Sequence, residues 1–229
     1  MSPLSHGPAG NRLLAALPDR DRKRLMARCE AVELVLADVL CTAGEPMRHV
    51  YFPTESFISL VVRVDDRPGL EVALVGDEGM LGVTKAPLHA QVQGSGRAWR
   101  IEAAGFLEEL AESVALQQRL SLYACARLTQ MAQLVACTHF HRVEARLARW
   151  LLMTRDRAHA DEFRITHEFL ATILGVRRAG VTRAAGALQA RRLIRYSRGR
   201  VNILDARRLE RVSCSCYRAA KTTYSRALA

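Results

Sequence analysis

Thr166-His-Glu-Phe-Leu-Ala-Thr-Ile-Leu-Gly-Val-Arg-Arg-Ala-Gly-Val-Thr-Arg-Ala-Ala-Gly-Ala-Leu-Gln189 decides the reading of this chain. Its pattern is helix, tight turn, helix. Thr166 can cap the first helix by accepting a backbone N–H bond. Phe169, Leu170, Ile173 and Leu174 recur at helical spacing and give that helix one apolar face. Gly175 follows, and glycine suits the left-handed conformation that ends a helix. In the second helix Val181, Ala184, Ala185 and Leu188 turn inward. That leaves Arg177, Arg178, Ala179, Thr182 and Arg183 on the outer, N-terminal side. In a helix-turn-helix unit this side meets base edges in a major groove. A surface helical hairpin rich in arginine has the same local pattern, so the rest of the chain has to weigh in.

Downstream, Arg195-Tyr-Ser-Arg-Gly-Arg-Val-Asn-Ile-Leu204 reads as a hairpin with Ser197-Arg-Gly199 at its tip. This is the wing of a winged helix, with Arg198 and Arg200 in reach of phosphates. Asp205 can cap a final helix carrying Leu209 and Val212. Beyond Tyr217 a loose basic tail is expected. Upstream, Phe163-Arg-Ile165 suggests a short strand, and residues 155–162 look polar and irregular. Thr138 reads as opening a helix with Phe140, Val143, Leu147, Trp150 and Leu151 on one side. Arg142, Arg146 and Arg149 fall on the other.

From Phe106 to Cys137 a helical stripe runs through Leu107, Leu110, Val114, Gln117, Ser121, Ala124, Leu128, Met131 and Val135. A helix of about 30 residues spans ~45 Å. That exceeds one small domain, and a two-helix coiled coil across a dimer axis is its natural use. The alternative is a helix lying across its own domain. Before it the period is two. Val32-Glu-Leu-Val-Leu36, His49–Pro53, Phe57–Val64, Leu70–Val75, Val92 and Trp99–Ile101 are strand candidates, separated by Gly/Pro turns. Such a series points to a β-sandwich, jelly roll or barrel. Asn11 can cap a short helix with Leu13, Leu14 and Leu17, and Asp19 to Cys29 suggests a second. Residues 1–11 are expected to be a flexible tail.

The chain of 229 residues is 49% hydrophobic, enough for real cores, and has net charge +11. Residues 1–137 hold 14 Lys+Arg and 16 Asp+Glu, whereas residues 138–229 hold 20 and 7. A polyanion partner for the C-terminal part alone follows from that split. Its charge is nearly all arginine, which suits bidentate contacts to phosphate and guanine. No apolar run of about 18 residues predicts a membrane span. The N-terminus has no secretory pattern, so a cytoplasmic location is expected. Cys29, Cys41, Cys125, Cys137, Cys214 and Cys216 fit no strong zinc spacing and include no Cys-x-x-Cys. They read as small buried apolar residues, and no metal or cofactor is expected.

With these pieces in order, the chain resembles the Crp/Fnr family of transcription regulators from about Arg12 to Tyr217. The carriers are Phe169–Gln189, with its Leu174-Gly-Val-Arg-Arg-Ala-Gly-Val181 core, then Leu193-Ile-Arg-Tyr-Ser-Arg-Gly199, and the run His141-Arg-Val-Glu-Ala-Arg-Leu-Ala-Arg-Trp-Leu-Leu152. The resemblance implies an α+β fold with an N-terminal β-roll (a jelly roll) resembling a cyclic-nucleotide-binding domain over 12–105. A dimerisation helix over 106–137 and a winged helix-turn-helix over 138–229 follow. It also implies a homodimer on palindromic double-stranded DNA, working with RNA polymerase. Base reading falls to Arg178, Ala179 and Arg183, with Arg177, Thr182, Thr166, Arg198 and Arg200 around them. Arg178 would hold guanine O6/N7 bidentately. The dimer seam would be Leu110, Val114, Gln117, Ser121, Ala124, Leu128, Met131 and Val135.

The effector pocket of such a roll would fall on Gly79, Met80, Leu81, Gly82, Val83, Arg97 and Ala98. Here the sequence departs from the cyclic-nucleotide members. Val83 stands where a glutamate would take the ribose hydroxyl, and Arg97 where a hydroxyl residue belongs. Each buried polar group left unpaired costs about 1–3 kcal/mol, so tight cAMP or cGMP binding is not expected and the signal is open. The N-terminal cysteine cluster of iron–sulfur members is missing. His49, His89, His139 and His141 have no haem motif behind them, although a cyclic-nucleotide-, redox- or haem-responsive regulator stays an alternative of the same fold. A cupin-like enzyme would need clustered His and Glu in the strands, and none occurs. An unspecific basic nucleic-acid-binding protein is the third alternative, and an aromatic stacking platform for single strands is not evident.

Overall fold

A computed structural model describes residues 10–228 except 64, 66–68, 83–84 and 87. The fold is α+β. The chain divides into two compact units, Met1–Val61 with Ala73–Leu128 and Thr223–Ala229, and Val62–Val72 with Thr129–Thr222.

The first unit begins with α1 (Arg12–Ala15) and α2 (Asp19–Met26). Asn11 is not part of a loose tail. Its side chain is buried, accepts from the Leu14 N–H at 3.2 Å and donates to the carbonyls of Pro53 and Gly79 at 2.8 and 2.9 Å. Residues 1–9 of the expected tail lie outside the described residues. Seven strands follow: β1 (Glu30–Leu34), β2 (Val39–Cys41), β3 (His49–Pro53), β4 (Phe57–Val62), β5 (Leu70–Val75), β6 (His89–Gly94) and β7 (Gly96–Glu102). They make two sheets, in the orders β1-β7-β3 and β2-β6-β4-β5. The β1–β7, β3–β7, β2–β6 and β4–β6 pairs are antiparallel. The two-residue alternation that predicts a roll shows where one face is buried, as with Ala90 and Val92 of β6, whereas β3 is buried on both faces from Val50 to Pro53. Strand β2 was not foreseen, because three residues are too few for a period. The Gly/Pro turn expected between β4 and β5 falls mostly outside the described residues.

The expected single helix over 106–137 is two helices, α3 (Ala103–Glu112) and α4 (Val114–Phe140). The break is at Ser113, which is extended at φ −111° and ψ 102°. Its Oγ accepts from the Leu116 N–H at 3.1 Å and bonds Asp21 at 2.5 Å, so it acts as a cap inside an apolar stripe. Thr138 does not open a helix. Its hydroxyl donates back to the Val135 carbonyl at 2.7 Å, and α4 runs on to Phe140. Leu13, Leu14, Leu25, Phe52, Ile101, Phe106, Leu116 and Tyr123 share the first unit's main core with Tyr224 and Ala227.

In the second unit α5 (Val143–Ala158) continues through residues expected to be irregular and ends at His159 in the left-handed region. Leu147, Trp150 and Leu151 are buried as expected, but Arg146 and Arg149 are buried as well, and Phe140 is 77% exposed. The polar and apolar sides of this helix are therefore not the ones its periodicity suggests. Arg146 donates to the Leu174 carbonyl, which satisfies the end of the next helix. The buried Trp150 Nε1 donates to Glu71 at 2.8 Å. Then come β8 (Glu162–Arg164), α6 (His167–Leu174), α7 (Arg178–Ala190), β9 (Ile194–Ser197), β10 (Arg200–Ile203) and α8 (Ala206–Val212). The small sheet has the order β8-β10-β9. The expected loose tail is instead helix α9 (Cys216–Ala227). Tyr224 and Ala227 lie three apart on it and are both buried, which is enough apolar anchoring to order it.

Candidate nucleic-acid interface

The turn between α6 and α7 is built as its sequence dictates. Thr166 Oγ1 accepts from the Phe169 N–H at 3.1 Å, and Gly175 sits at φ 62° and closes α6. Leu170, Ile173 and Leu174 of α6 are buried with Val181, Ala184, Ala185 and Leu188 of α7. Burying those seven side chains fixes the rotation of α7 about its axis. Arg177, Arg178, Ala179, Thr182 and Arg183 are consequently all exposed.

These residues are not equally free. Arg178 forms an exposed ion pair with Glu168 at 3.6 Å, a contact worth about 0–1 kcal/mol and easily exchanged. Thr182 donates its hydroxyl to the Arg178 carbonyl at 3.1 Å and lies 3.1 Å from His167 Nδ1. With the hydroxyl proton committed, the imidazole is the donor to Thr182. His167 stacks on Tyr196 at 4.3 Å, and the Tyr196 hydroxyl donates to the Ile165 carbonyl at 2.6 Å. This His167–Tyr196 stack ties α6 to the wing, and no pattern in the sequence announces it. Burial, and then the nearby Arg178 charge, push the His167 pKa below its ordinary value.

The wing turns at Arg198 and Gly199, with φ 48° and 73°. Two successive positive φ values make the two-residue turn whose twist matches a hairpin. Arg198 is exposed at the tip and has no ion pair among the described residues. Arg200 differs, being held by Glu162 at 3.0 Å.

The expected effector residues do not gather into a polar cradle. Met80, Leu81 and Ala98 are buried apolar residues. The Tyr123 hydroxyl of α4 sits on the turn, accepting from the Met80 N–H at 3.2 Å and donating to the Met80 carbonyl at 3.1 Å. A Cβ on Gly79 would lie 2.3 Å from that hydroxyl. Gly82 has φ 104°, and its Cβ would meet the His49 carbonyl at 2.8 Å. Arg97 is 69% exposed and paired with Glu55. Val83 lies outside the described residues.

Of the expected seam, Val114, Gln117, Ser121, Ala124, Leu128 and Val135 are exposed, while Leu110 and Met131 are half-buried. Leu128 and Val135 are each 71% exposed. An apolar groove of about 530 Å³ runs along α3 and α4, lined by Leu107, Leu110, Ala111, Gln117, Leu120, Ser121 and Ala124.

Sequence reasoning missed one group entirely. Cys137 of α4 and His141, the residue after that helix, meet Cys214 and Cys216 at the α8–α9 junction, with all four ligand atoms within 4.8 Å of one another. The Cys137-x-x-x-His141 spacing was the available signal, since residues four apart share a helix face. The Cys137 thiol is pushed down to about 5, first by the Cys214 thiol hydrogen bond and further by the Arg149 charge, whereas its partner Cys214 is pushed up.

Residues 145–212 match the family profile described as the Crp-like helix-turn-helix domain. Among solved structures the chain is similar to FixK2 from Bradyrhizobium japonicum, with TM-score 0.69 and 14% identity, covering 82% of this chain and 98% of that one. It is also similar to a transcriptional regulator of the Crp/Fnr family from Eubacterium rectale, with TM-score 0.64 and 18% identity over 87% and 96% of the two chains. A third is CLP of Xanthomonas campestris, a c-di-GMP responsive global regulator, with TM-score 0.62 and 17% identity over 81% and 99%. At these identities the likeness is one of fold. No curated protein matches the sequence. Among the described residues no helix is long and apolar enough to cross a membrane.

Proposed function

We propose that this chain, whose residues 145–212 are a Crp-like helix-turn-helix domain carried on the fold of Crp/Fnr transcription regulators, is a cytoplasmic, homodimeric, sequence-specific DNA-binding regulator. The observation that carries the reading is the exposed arginine face at the start of α7, held in one rotation by four buried residues of the same helix. Arg178 reads a guanine through O6 and N7. Ala179 has no acceptor for a cytosine amine, so the site takes an apolar contact or none at that base. Arg183 reads further along the groove. Arg177 and the wing-tip Arg198 hold phosphates, which fix register and carry no sequence information. The exposed Leu128 and Val135 support pairing of two copies along α4. A two-fold pair sets its two α7 helices in successive major grooves, ~34 Å apart, on a palindromic operator. RNA polymerase is then the partner through which binding alters transcription.

The β-roll serves as a scaffold or senses a signal other than cAMP or cGMP. Tyr123 on the Gly79–Met80 backbone and the Arg97–Glu55 pair support that choice.

Selection of random duplexes at fixed moderate salt tests the reading. The wild type is expected to enrich a palindrome with half-sites about one helical turn apart. Arg178→Ala should lose one guanine preference, by about 1–3 kcal/mol, and keep its phosphate affinity. A chain that enriches no motif, and whose variant binds every duplex with the same steep salt dependence, is an unspecific polyanion binder.

A further inference from the structure

The second unit holds a cluster that DNA binding leaves unused. Cys137 lies in the last turn of α4, and His141 directly follows that helix. Cys214 comes from the short link after α8, where Ser213 is extended at φ −65° and ψ 156°, and Cys216 opens α9. Cys137 Sγ is 3.6 Å from Cys214 Sγ, and Cys216 Sγ is 3.6 Å from His141 Nδ1. The three thiols are 0%, 6% and 2% exposed. We propose that Cys137, His141, Cys214 and Cys216 form a closed, four-coordinate structural zinc site.

Three observations carry this. The first is spacing. Zinc binds sulfur at about 2.3 Å and imidazole nitrogen at about 2.0–2.1 Å, tetrahedrally. The edges of that tetrahedron are about 3.8 Å between sulfurs and about 3.6 Å between sulfur and nitrogen. The Cys137–Cys214 and Cys216–His141 separations match two edges of that tetrahedron, and all four ligand atoms lie within 4.8 Å of one another, whereas a disulfide needs about 2.05 Å and would leave Cys216 and His141 unexplained.

The second is charge. Arg146 and Arg149 are buried, and neither is paired with a carboxylate among the described residues. Both interact electrostatically with Cys137. Three thiolates, a neutral imidazole and Zn²⁺ sum to one negative charge. That anion sits where buried guanidinium groups need one, and an uncompensated buried charge is costly. The third is the surrounding shell. Gln133, one turn before Cys137 on α4, donates its amide to Cys216 Sγ at 3.1 Å. Such outer hydrogen bonds orient thiolate ligands. Three soft sulfurs and one imidazole select zinc over hard oxygen-seeking cations. All four positions are taken by protein, so the ion is structural. It ties the end of α4 to the link that follows the winged helix. The site does not depend on the DNA reading and stands or falls separately from it.

The test uses the full chain purified under reducing conditions. Metal analysis should find one zinc per chain, retained against a weak chelator. Cobalt(II) added to the metal-free protein should give the intense ligand-field bands of a tetrahedral thiolate site, bleached by one equivalent of zinc. Cys214→Ser and Cys216→Ser should retain only a small fraction of the metal, while Cys125→Ser retains it all. If the ligand variants fail to fold, the cobalt spectrum and zinc count of the wild type decide alone. Wild-type protein that keeps no zinc and gives an octahedral cobalt spectrum overturns the site. So does a Cys137–Cys214 disulfide that forms equally well in the presence of zinc.

Discussion

His167 shows how one residue couples stability to pH. Its pKa lies below the ordinary 6.5, first because burial penalises the charged ring and then because Arg178 repels it. A base with a depressed folded pKa binds fewer protons folded than unfolded. Its contribution is therefore intact above pH 6.5 and is lost as pH falls from there through the lower folded value. Unfolding of the full chain between pH 7.5 and 5, as rough limits chosen to bracket an ordinary histidine, should show falling stability in the second unit. His167→Asn keeps a donor toward Thr182 and should flatten that dependence; an unchanged slope would place the titration elsewhere. At this scale the sequence was legible where partners are local. Thr166, Gly175, Asn11 and Asp205 cap helices through neighbours three or four positions away. It was illegible where partners are remote. Cys137 meets a residue 77 positions on, and Cys216 one 75 positions back. The buried Arg146 reversed a helix face for the same reason, since the Leu174 carbonyl, 28 positions on, and not the helical period, holds it inside.

Among the described residues, half of the exposed large hydrophobics lie on α4: Val114, Leu122, Leu128, Val135 and Phe140. Leu128 and Val135 lie seven apart on its open side, and its buried side is defined by Leu116, Tyr123, Ala126 and Cys137. A seam of this kind loses more from a charge than from a truncation, because a buried unpaired charge adds its own desolvation cost. Leu128→Glu should convert a dimer into monomers of half the mass in sedimentation, with the helical content of the chain retained. A dimer that persists unchanged would remove α4 from the interface. That this stretch is helical was readable from its spacing, but its far end was not, since α4 runs on to Phe140. The break at Ser113 was not, because a serine in a helical pattern reads as tolerated until its Asp21 partner, 92 positions earlier, is known.

For the molecule as a whole, the charge split and the domain division nearly coincide. The excess of arginine after residue 138 marked the polyanion-binding part, and the second unit's main segment starts at Thr129. Sequence order misled at two places: residues 62–72 belong to the second unit, and residues 223–229 to the first. Tyr224 packs on Tyr123 with ring centroids 6.4 Å apart, and its hydroxyl accepts from Arg127 at 3.2 Å. Tyr224→Ala empties that position and should lower the first unit's stability by about 3 kcal/mol or more. Urea unfolding followed by Trp99 fluorescence in a Trp150→Phe background reads this directly. An unchanged midpoint would mean that α9 is dispensable to the core.

That placement of Tyr224 also has a bearing on biosynthesis. A ribosome delivers the strands of the first unit, and then α5 to α8, before the residue that fills the space beside Tyr123. The first unit's core is therefore completed only after the helix-turn-helix has been translated. A chain whose synthesis stops before Tyr224 presents an unfinished apolar surface to proteases and chaperones.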